Sequence, residues 1–568
     1  MPSCEEAIFS EEYYDLILET GARYTIQLKE EACRIVVDSQ LTMTYVSREG
    51  MPKLSIEDYT YSAIPNCFST LNTSALEASN ILKVQNIPTL DLRGEGVLIG
   101  FLDTGIDYTN PIFQSSDGKT RIAAIWDQTQ QGGKHPKRFP YGPEYTREEI
   151  DRALQQDDPY TVVEQRDTDG HGTYVASVAA GSEDVAADFI GAAPRATIAM
   201  VKLKRAKQYL YDFWHLNPDT ECYQENDLIM AATYLNDLAQ ALQLPLVLCV
   251  TVGSNLGNRG GSALFDEVLN GIGALRQHAV VTAAGNEGGA RHHFSGDFSR
   301  EDKETNNLLQ YVEIAVGKNV SGFVAELWAV APELYSVEVL SPTGERVPRQ
   351  RRGNGEQREY QFVLENTRVS ISYRIVGIRA ARQLIFIRFT NPTEGVWTLF
   401  IYPEQIFNGI YQIYLPMTEH LTGEVIFLDP SPNETITLPG IAEIPMTASG
   451  YDDKKNGAYI NSSRGFTETG RVKPDFAAPA VNVYGAGLRK TFQTATGTSV
   501  AAAITAGAVA LFMEWAAVRG NEPDINCVDV KNYFLRGTRR RAEGIYPNRI
   551  VGYGLLDLLQ VFYQIRLN

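Results

Sequence analysis

The stretch that most constrains the fold covers residues 494–512, which read TATGTSVAAAITAGAVALF. A polar turn ends at Gly497, Thr498 and Ser499, and an unbroken run of small, mostly apolar side chains follows. Small side chains let a helix pack tightly in a protein interior, so we expect a buried helix that begins near Ser499. The run is too short to span a membrane, and the charged Glu514 follows it closely.

Ser499 would occupy the N-terminus of this helix. Main-chain N–H groups at that end have no partner within the helix and favour negative charge. A serine at this place is commonly a helix cap. It is also well placed to be a nucleophile whose reaction passes through an oxyanion, and residues far upstream decide between the two interpretations.

Length and composition set broad limits. The chain has 568 residues, of which 44% are hydrophobic, and a net charge of −18. This length predicts about two to four domains. The acidity argues against nucleic acid or an anionic membrane as a partner. The first residues are acidic and lack the apolar run of a signal peptide, and the six scattered cysteines indicate free thiols, so we expect synthesis in the cytoplasm.

Asp103 is the first upstream candidate. The apolar run at residues 97–102 predicts a buried strand of a parallel sheet, and it ends on the motif Asp103-Thr104-Gly105. Open α/β sheets place their functional sites at the carboxyl ends of such strands. The alternative is an aspartate that caps the next helix, and the motif alone does not decide.

His171 is the second candidate, in the sequence Asp-Gly-His-Gly-Thr. Glycine on both sides of a histidine allows close approach of the backbone, which a catalytic imidazole needs and a structural histidine rarely does. The adjacent pair His292-His293 lacks metal-ligand spacing, so we predict that it lies on the surface.

Asn286 follows a predicted strand at residues 280–284, in the sequence Ala-Ala-Gly-Asn-Glu-Gly. A turn residue is the simpler interpretation. However, the motifs around Asp103, His171, Asn286 and Ser499, taken in this order, resemble those of the subtilisin-type serine peptidases.

This resemblance implies a fold and a chemistry. The fold would be α/β, a subtilisin-like three-layer arrangement with a parallel sheet. Asp103 would orient His171, His171 would take the proton of Ser499, and Asn286 would donate a hydrogen bond to the oxyanion. No metal or other cofactor is predicted for this reaction. Many subtilases carry Met and Pro just after the serine, and this chain has Val500 and Ala503 there.

The resemblance also implies a groove for a peptide or protein substrate. Thr251, Val252 and Gly253 match the family segment that pairs with the substrate backbone. The residues before Asn286 are predicted to contact the substrate as well, and they are Ala283, Ala284 and Gly285. Residues 204–226 form a long aromatic insertion that either reshapes this groove or decorates the surface.

A long segment separates Asn286 from Ser499. Short runs of alternating apolar and polar residues, divided by turns, predict an all-β sandwich in residues 306–446. The predicted strands are eight runs, at residues 311–316, 322–328, 336–340, 359–364, 369–375, 384–389, 397–402 and 409–415. A sandwich at this position resembles the jelly roll of the Csp subtilases, the clostridial spore-germination proteases.

The first seventy or so residues predict a small α+β unit, with a helix at residues 12–19 and strands at 34–38 and 41–46. By resemblance this unit is a propeptide, which would be cut off near residues 70–74 and could stay bound as a partner. The predicted domains are a propeptide, two parts of the catalytic core and the jelly-roll insertion between them, at residues 1–73, 74–305, 447–568 and 306–446.

Three functions stay open at this point. The first is an active serine endopeptidase, whose substrate by resemblance would be the proform of a spore-cortex lytic hydrolase, with association to the spore. The second is a pseudoprotease that acts as a binding or sensing module. The third is a general peptidase that processes proproteins or scavenges peptides. All four motif positions are filled, which argues for an enzyme.

Overall fold

A computed structural model of the chain divides into two compact units, Met1–Thr70 and Leu71–Asn568. The structure describes residues 12–19, 31–36, 41–49, 51, 74–261, 263–298, 309–349, 357–376 and 381–565.

The first unit contains a three-stranded antiparallel sheet in the order β1–β3–β2. Its strands are β1 (Tyr13–Glu19), β2 (Glu31–Val36) and β3 (Leu41–Ser47). The strands predicted around residues 34 and 41 are thus confirmed. The helix predicted at residues 12–19 is wrong, because β1 pairs with β3 along its whole length and buries Leu16, so pairing overrides a weak helical preference.

A mainly parallel sheet forms the centre of the second unit. Its strand order is β22–β21–β9–β8–β4–β7–β5–β6, and β23 also pairs with β21. The strands are β4 (Leu98–Asp103), β5 (Ile122–Asp127), β6 (Glu144–Thr146), β7 (Thr197–Lys202), β8 (Leu246–Val250), β9 (His278–Ala283), β21 (Met446–Asp452), β22 (Gly457–Ala458) and β23 (Phe476–Pro479).

Helices cover both faces of this sheet and produce three layers. They are α1 (Ser74–Ala78), α2 (Ile81–Gln85), α3 (Arg147–Ala153), α4 (His171–Ala180), α5 (Gln208–Trp214), α6 (Glu225–Leu242), α7 (Leu264–Gly273), α8 (Thr498–Met513), α9 (Cys527–Arg536) and α10 (Leu558–Ile565). Helices α4 and α8 pack in the core on one face, and α6 and α7 pack on the other. All six residues of β4 are therefore buried, as its apolar sequence predicts.

Helix α8 is the buried helix predicted from residues 494–512. It packs against β8, β9 and β21 and against α4. A Cβ atom on Gly507 would lie only 2.3 Å from the Cβ of Ala192, which explains why this helix is built of small residues. The expectation that this run is too short to span a membrane is wrong, because the helical segment continues to Val518. Of the described residues, Thr498–Val518 is long and apolar enough to cross a membrane, but 89% of its most apolar window is buried inside the protein.

Two antiparallel sheets, of six and five strands, pack around a separate apolar core. In spatial order they are β10–β19–β12–β17–β16–β15 and β14–β13–β18–β11–β20. The strands are β10 (His293–Asp297), β11 (Gln310–Val316), β12 (Gly322–Val330), β13 (Leu334–Leu340), β14 (Arg346–Val347), β15 (Gln357–Gln361), β16 (Arg368–Val376), β17 (Arg382–Thr390), β18 (Gly395–Gln405), β19 (Ile410–Tyr414) and β20 (Val425–Phe427).

Each of the eight predicted runs overlaps one of these strands. Strands β10, β14 and β20 were not predicted, since β10 is interrupted by serine and glycine and the other two have only two and three residues. Strand β10 precedes residue 306, yet it pairs with β19 inside this sandwich.

The long insertion at residues 204–226 packs against the sandwich. Phe213 of α5 stacks on Phe386 of β17, with ring centroids 5.7 Å apart. Next to it, Arg388 Nε donates to His215 Nε2 over 2.8 Å. The main-chain N–H of Asn217 donates to the carbonyl of His420 over 2.8 Å.

His292 and His293 are buried, so the prediction that they lie on the surface is wrong. They are 4% and 2% exposed. His292 Nδ1 lies 2.6 Å from Glu287 Oε2. His293 Nε2 lies 2.7 Å from Gln412 Oε1, and its ring stacks on Tyr414. Each ring thus has a hydrogen-bond partner, which lowers the cost of its burial.

Candidate active site

Four predicted residues meet at the carboxyl end of the parallel sheet. Asp103 is the last residue of β4, and His171 is the first residue of α4. Asn286 comes three residues after the end of β9, and Ser499 is the second residue of α8. Parallel strands bring such termini to one edge of the sheet, which is where open α/β sheets bind ligands.

Asp103 and His171 form a close pair. Nδ1 of His171 lies 2.8 Å from Oδ1 and 3.0 Å from Oδ2 of Asp103. The Asp103 side chain is 2% exposed, whereas that of His171 is 40% exposed. Thr251 Oγ1 donates to Asp103 Oδ2 over 2.6 Å, and the N–H of Thr104 donates to Oδ1 over 2.7 Å. The carboxylate thus engages Nδ1, one of the two ring nitrogens of His171.

The surroundings shift the pKa of both groups. Burial disfavours the charged Asp103 carboxylate, but the His171 ring and the hydrogen bonds from Thr251 and Thr104 outweigh it, so the pKa of Asp103 is lowered. Burial favours the neutral His171 ring, but the Asp103 carboxylate outweighs this effect and raises the pKa of His171 above the usual 6.5.

The backbone around His171 explains its two glycines. Gly170 has a φ of +98°, in the left-handed region that favours glycine. A Cβ atom on Gly172 would lie 2.2 Å from the carbonyl oxygen of Gly105, in the loop that follows Asp103. The helix that carries His171 can therefore approach Asp103 only with glycine at this position.

Asp167 holds this arrangement together and was not predicted as a site residue. Its Oδ1 accepts from the N–H of Gly170 (2.8 Å) and from Thr104 Oγ1 (3.0 Å). Its Oδ2 accepts from the N–H and the hydroxyl of Thr173, over 3.0 and 2.6 Å. One buried carboxylate thus ties the end of β4 to the start of α4. The sequence could have indicated Asp167 as a site residue, because it lies only four residues before His171.

Ser499 lies half-buried at the start of α8. Its hydroxyl donates to the carbonyl oxygen of Thr251 over 3.3 Å. A hydroxyl has one proton, so in this rotamer the proton points to Thr251 and not to His171.

The Asn286 side chain is oriented by Thr498, which was not predicted as a site residue. Asn286 Oδ1 accepts from the N–H of Thr498 (3.1 Å) and from its hydroxyl (3.3 Å). Thr498 Oγ1 in turn accepts from the N–H of Gly285 over 3.0 Å. With its oxygen held in this way, the amide presents its Nδ2 donor group away from Thr498. The orientation of the Asn286 amide is thus fixed by its contacts with Thr498.

The predicted substrate-binding residues follow the neighbouring strands β8 and β9. Thr251 and Val252 are half-buried, and Gly253 is exposed. The carbonyls of Ala284 and Gly285 already accept hydrogen bonds from the N–H groups of Thr437 (3.0 Å) and Ser463 (2.9 Å). These two carbonyls are therefore engaged within the protein. Ala283, the last residue of β9, is buried.

A cavity of about 940 Å³ adjoins the Asp103–His171 pair. It is lined by Thr104, Thr168 and Asp169 on the side of the pair. Both ends of the insertion at residues 204–226 also line this cavity. The insertion therefore shapes the surface next to the site as well as packing on the sandwich. Among the described residues, no group of three or more His, Cys, Asp or Glu side chains is arranged to hold a metal ion.

Comparison with known proteins shows the family of the chain. The family model described as the Subtilase family matches residues 94–320 and 423–554, which is more than half of the chain. Subtilisin-like protease SBT2.2 of Arabidopsis thaliana is 34% identical over 130 residues, and serine protease AprX of Bacillus subtilis is 32% identical over 126 residues. These alignments cover 20% and 19% of this chain, and 15% and 27% of the two relatives.

A solved structure is similar over a much larger share. The CspB protease of Clostridium perfringens is 28% identical and superposes with a TM-score of 0.76. The superposition covers 86% of this chain and 96% of that protein. The predicted likeness to the Csp type is thereby confirmed. The chain is a member of the subtilase family.

Proposed function

We propose that the chain is a serine endopeptidase in which Asp103, His171 and Ser499 form the catalytic triad and Asn286 the oxyanion donor. The observation that carries this proposal is the 2.8 Å contact between His171 Nδ1 and the buried Asp103 carboxylate, beside a serine at a helix N-terminus. The carboxylate holds the neutral ring with its proton on Nδ1, so that Nε2 can accept the proton of the Ser499 hydroxyl.

The reaction then proceeds through an acyl-enzyme. Once its hydroxyl turns from Thr251 to His171, Ser499 attacks the peptide carbonyl, and the oxyanion is held by Asn286 Nδ2 and the main-chain N–H of Ser499. His171 gives the proton to the leaving amine. Water, activated by the same ring, hydrolyses the ester and frees Ser499. The proposal includes no cofactor.

Labelling with a serine-reactive fluorophosphonate tests the proposal. The purified, fully processed chain is expected to be labelled once per molecule, and Ser499→Ala is expected not to be labelled. If the processed chain with an intact Ser499 takes up no label, it is not a serine peptidase. A binding or sensing module would then be the function that fits the fold.

The proposal extends to the two accessory parts of the chain. The three-stranded N-terminal unit is assigned as a propeptide, cut by the chain itself near residues 70–74 and retained as a non-covalent partner. The inserted sandwich is assigned as a jelly roll of the Csp type, an assignment supported by the similarity to CspB. A single full-length band for the purified protein, identical to that of Ser499→Ala, would exclude self-processing.

The narrower part of the proposal concerns the substrate. We infer that the chain activates the proform of a spore-cortex lytic hydrolase and works in association with the spore after synthesis in the cytoplasm. Incubation of the processed enzyme with such a proenzyme is expected to give one specific cleavage. Cleavage of unrelated proproteins at the same rate would instead favour a general processing peptidase.

A further inference from the structure

Thr437 lies between the two segments that are predicted to bind substrate. Its N–H donates to the carbonyl of Ala284 over 3.0 Å, and its hydroxyl is 3.4 Å from the same oxygen. A Cβ atom on Gly253 would lie 2.7 Å from Thr437 Oγ1, and one on Gly285 would lie 2.5 Å from both Oγ1 and Cγ2. The Thr437 side chain therefore fills the space that these two glycines leave open.

Thr437 is held firmly in this place. It is 2% exposed, and its carbonyl accepts from the N–H of Gly440 over 2.7 Å. The next residue, Leu438, exchanges two main-chain hydrogen bonds with Ser254, over 3.0 and 2.9 Å. A shift of Thr437 would break contacts to both neighbouring segments, so the space can be enlarged only by changing its side chain.

We expect the position of the carbonyl that Ser499 attacks to direct one substrate side chain towards Thr437. The carbonyl under attack must lie between Ser499 and Asn286, and its Cα is only one bond away. If the substrate backbone lies along Thr251–Gly253, the side chain on that Cα enters the gap between this segment and Ala283–Gly285. Thr437 closes the inner end of that gap.

We propose that Thr437 limits the residue before the scissile bond to a short side chain, such as that of Gly, Ala or Ser, and excludes aromatic and branched aliphatic side chains. This inference rests on the proposed peptidase function and adds a specificity-determining residue to it. Thr437 acts through the space that its buried side chain occupies and takes no part in proton transfer.

The test uses four peptides that differ only at the residue before the scissile bond, which is Ala, Ser, Leu or Phe. For the processed enzyme, kcat/KM is expected to be higher for Ala and Ser than for Leu and Phe by about ten-fold or more, the size of effect that pocket volume can produce. Mass spectrometry of the products confirms that each peptide is cut at the same bond.

Substitution of Thr437 is then expected to reduce the preference for Ala over Phe. Thr437→Gly is expected to raise kcat/KM for the Phe peptide by about ten-fold and to change that for the Ala peptide by less than about three-fold. Thr437→Ser removes only the Cγ2 methyl and is expected to act in the same direction to a smaller extent. It serves as the test if the glycine variant does not fold.

Thr435→Ala is the matched control. Thr435 is 4% exposed and two residues earlier, but its hydroxyl donates to the carbonyl of Pro432 and accepts from the N–H of Arg464. Thr435→Ala is expected to leave unchanged the ratio of kcat/KM for the Phe peptide to kcat/KM for the Ala peptide.

The inference is overturned if the enzyme cleaves the Phe peptide as fast as the Ala peptide, or if folded Thr437 variants keep the original ratio of kcat/KM. Failure to cleave any of the four peptides, together with no labelling of Ser499, would instead overturn the proposed function on which the inference rests.

Discussion

Two histidine–carboxylate pairs in this protein have similar contacts and different surroundings. His171 Nδ1 is 2.8 Å from Asp103, and His292 Nδ1 is 2.6 Å from Glu287. His171 is 40% exposed, whereas His292 is 4% exposed and Glu287 is further held by Asn255 Nδ2 over 2.7 Å. If His171 is the catalytic base, as proposed, then a histidine–carboxylate pair alone does not make such a base. The second ring nitrogen must also be open to a substrate.

The largest expected effect is a loss of activity when His171 is substituted, which is not expected when His292 is substituted. His171→Ala is expected to lower kcat for peptide hydrolysis on the order of 10⁴–10⁶-fold, because Ser499 loses its base; in subtilisin the corresponding loss is about 2 × 10⁶-fold. Steady-state kinetics on the processed protein measures it. Thermal unfolding is the control for folding: a cooperative transition is expected, at a somewhat lower temperature because the buried Asp103 carboxylate loses a partner. A folded His171→Ala protein with near-normal kcat would assign the base elsewhere.

A smaller effect is expected for the oxyanion donor. Asn286→Ala is expected to lower kcat by about 10²–10³-fold with little change in KM, the loss recorded for such a donor in subtilisin. Because Asn286 is exposed, its removal should not unfold the protein. A rise in KM at constant kcat would mean that Asn286 binds the substrate without stabilising the transition state.

The pH dependence of kcat/KM is expected to report the effect of Asp103 on the pKa of His171. His171 acts as a base only when neutral, so activity is lost as pH falls through its pKa. Asp103 raises this pKa, so the acid limb of the kcat/KM profile is expected above pH 6.5. In Asp103→Asn the raising charge is absent, and the acid limb of the residual activity is expected at lower pH. An acid limb that is unmoved in Asp103→Asn would show that Asp103 does not set the pKa of His171.

The smallest effect on catalysis is expected for the buried pair. His292→Ala is expected to lower the free energy of unfolding by about 3 kcal/mol, because Glu287 loses a buried partner. The kcat of the folded protein is expected to stay within about two-fold of the parent. Denaturant unfolding and kinetics on the same sample measure both quantities. His135→Ala, at an exposed histidine, is the control and should change neither.

Much of the fold could be predicted, because buried strands are recognisable in the sequence from the pattern of their apolar residues. The fully buried strands β4, β8 and β9 are continuous apolar runs, and the longer sandwich strands alternate regularly. Strand β1 could not be predicted, since a seven-residue segment becomes a strand here through its pairing with β3. The short strand β14 carries too few residues for any period to be visible.

The close pairing of His171 with Asp103 has a mark in the sequence, which is the glycine on each side of His171. The close approach of Gly172 to Gly105 gives the physical reason for one of these glycines. The burial of His292 was not predictable, because it depends on tertiary placement that adjacency in sequence does not reveal. Thr437 was missed for the same reason, since it reaches Ala284 from more than 150 residues away in the chain.

The most direct test of the central claim is to trap the covalent intermediate. The processed protein is mixed with an activated ester substrate, quenched in acid during turnover, and measured by intact mass and by peptide mapping. We predict one acyl group per chain, located on the peptide that contains Ser499 and absent from Ser499→Ala. An acyl group on any other residue, or hydrolysis that continues in Ser499→Ala at the parent rate, would contradict the account.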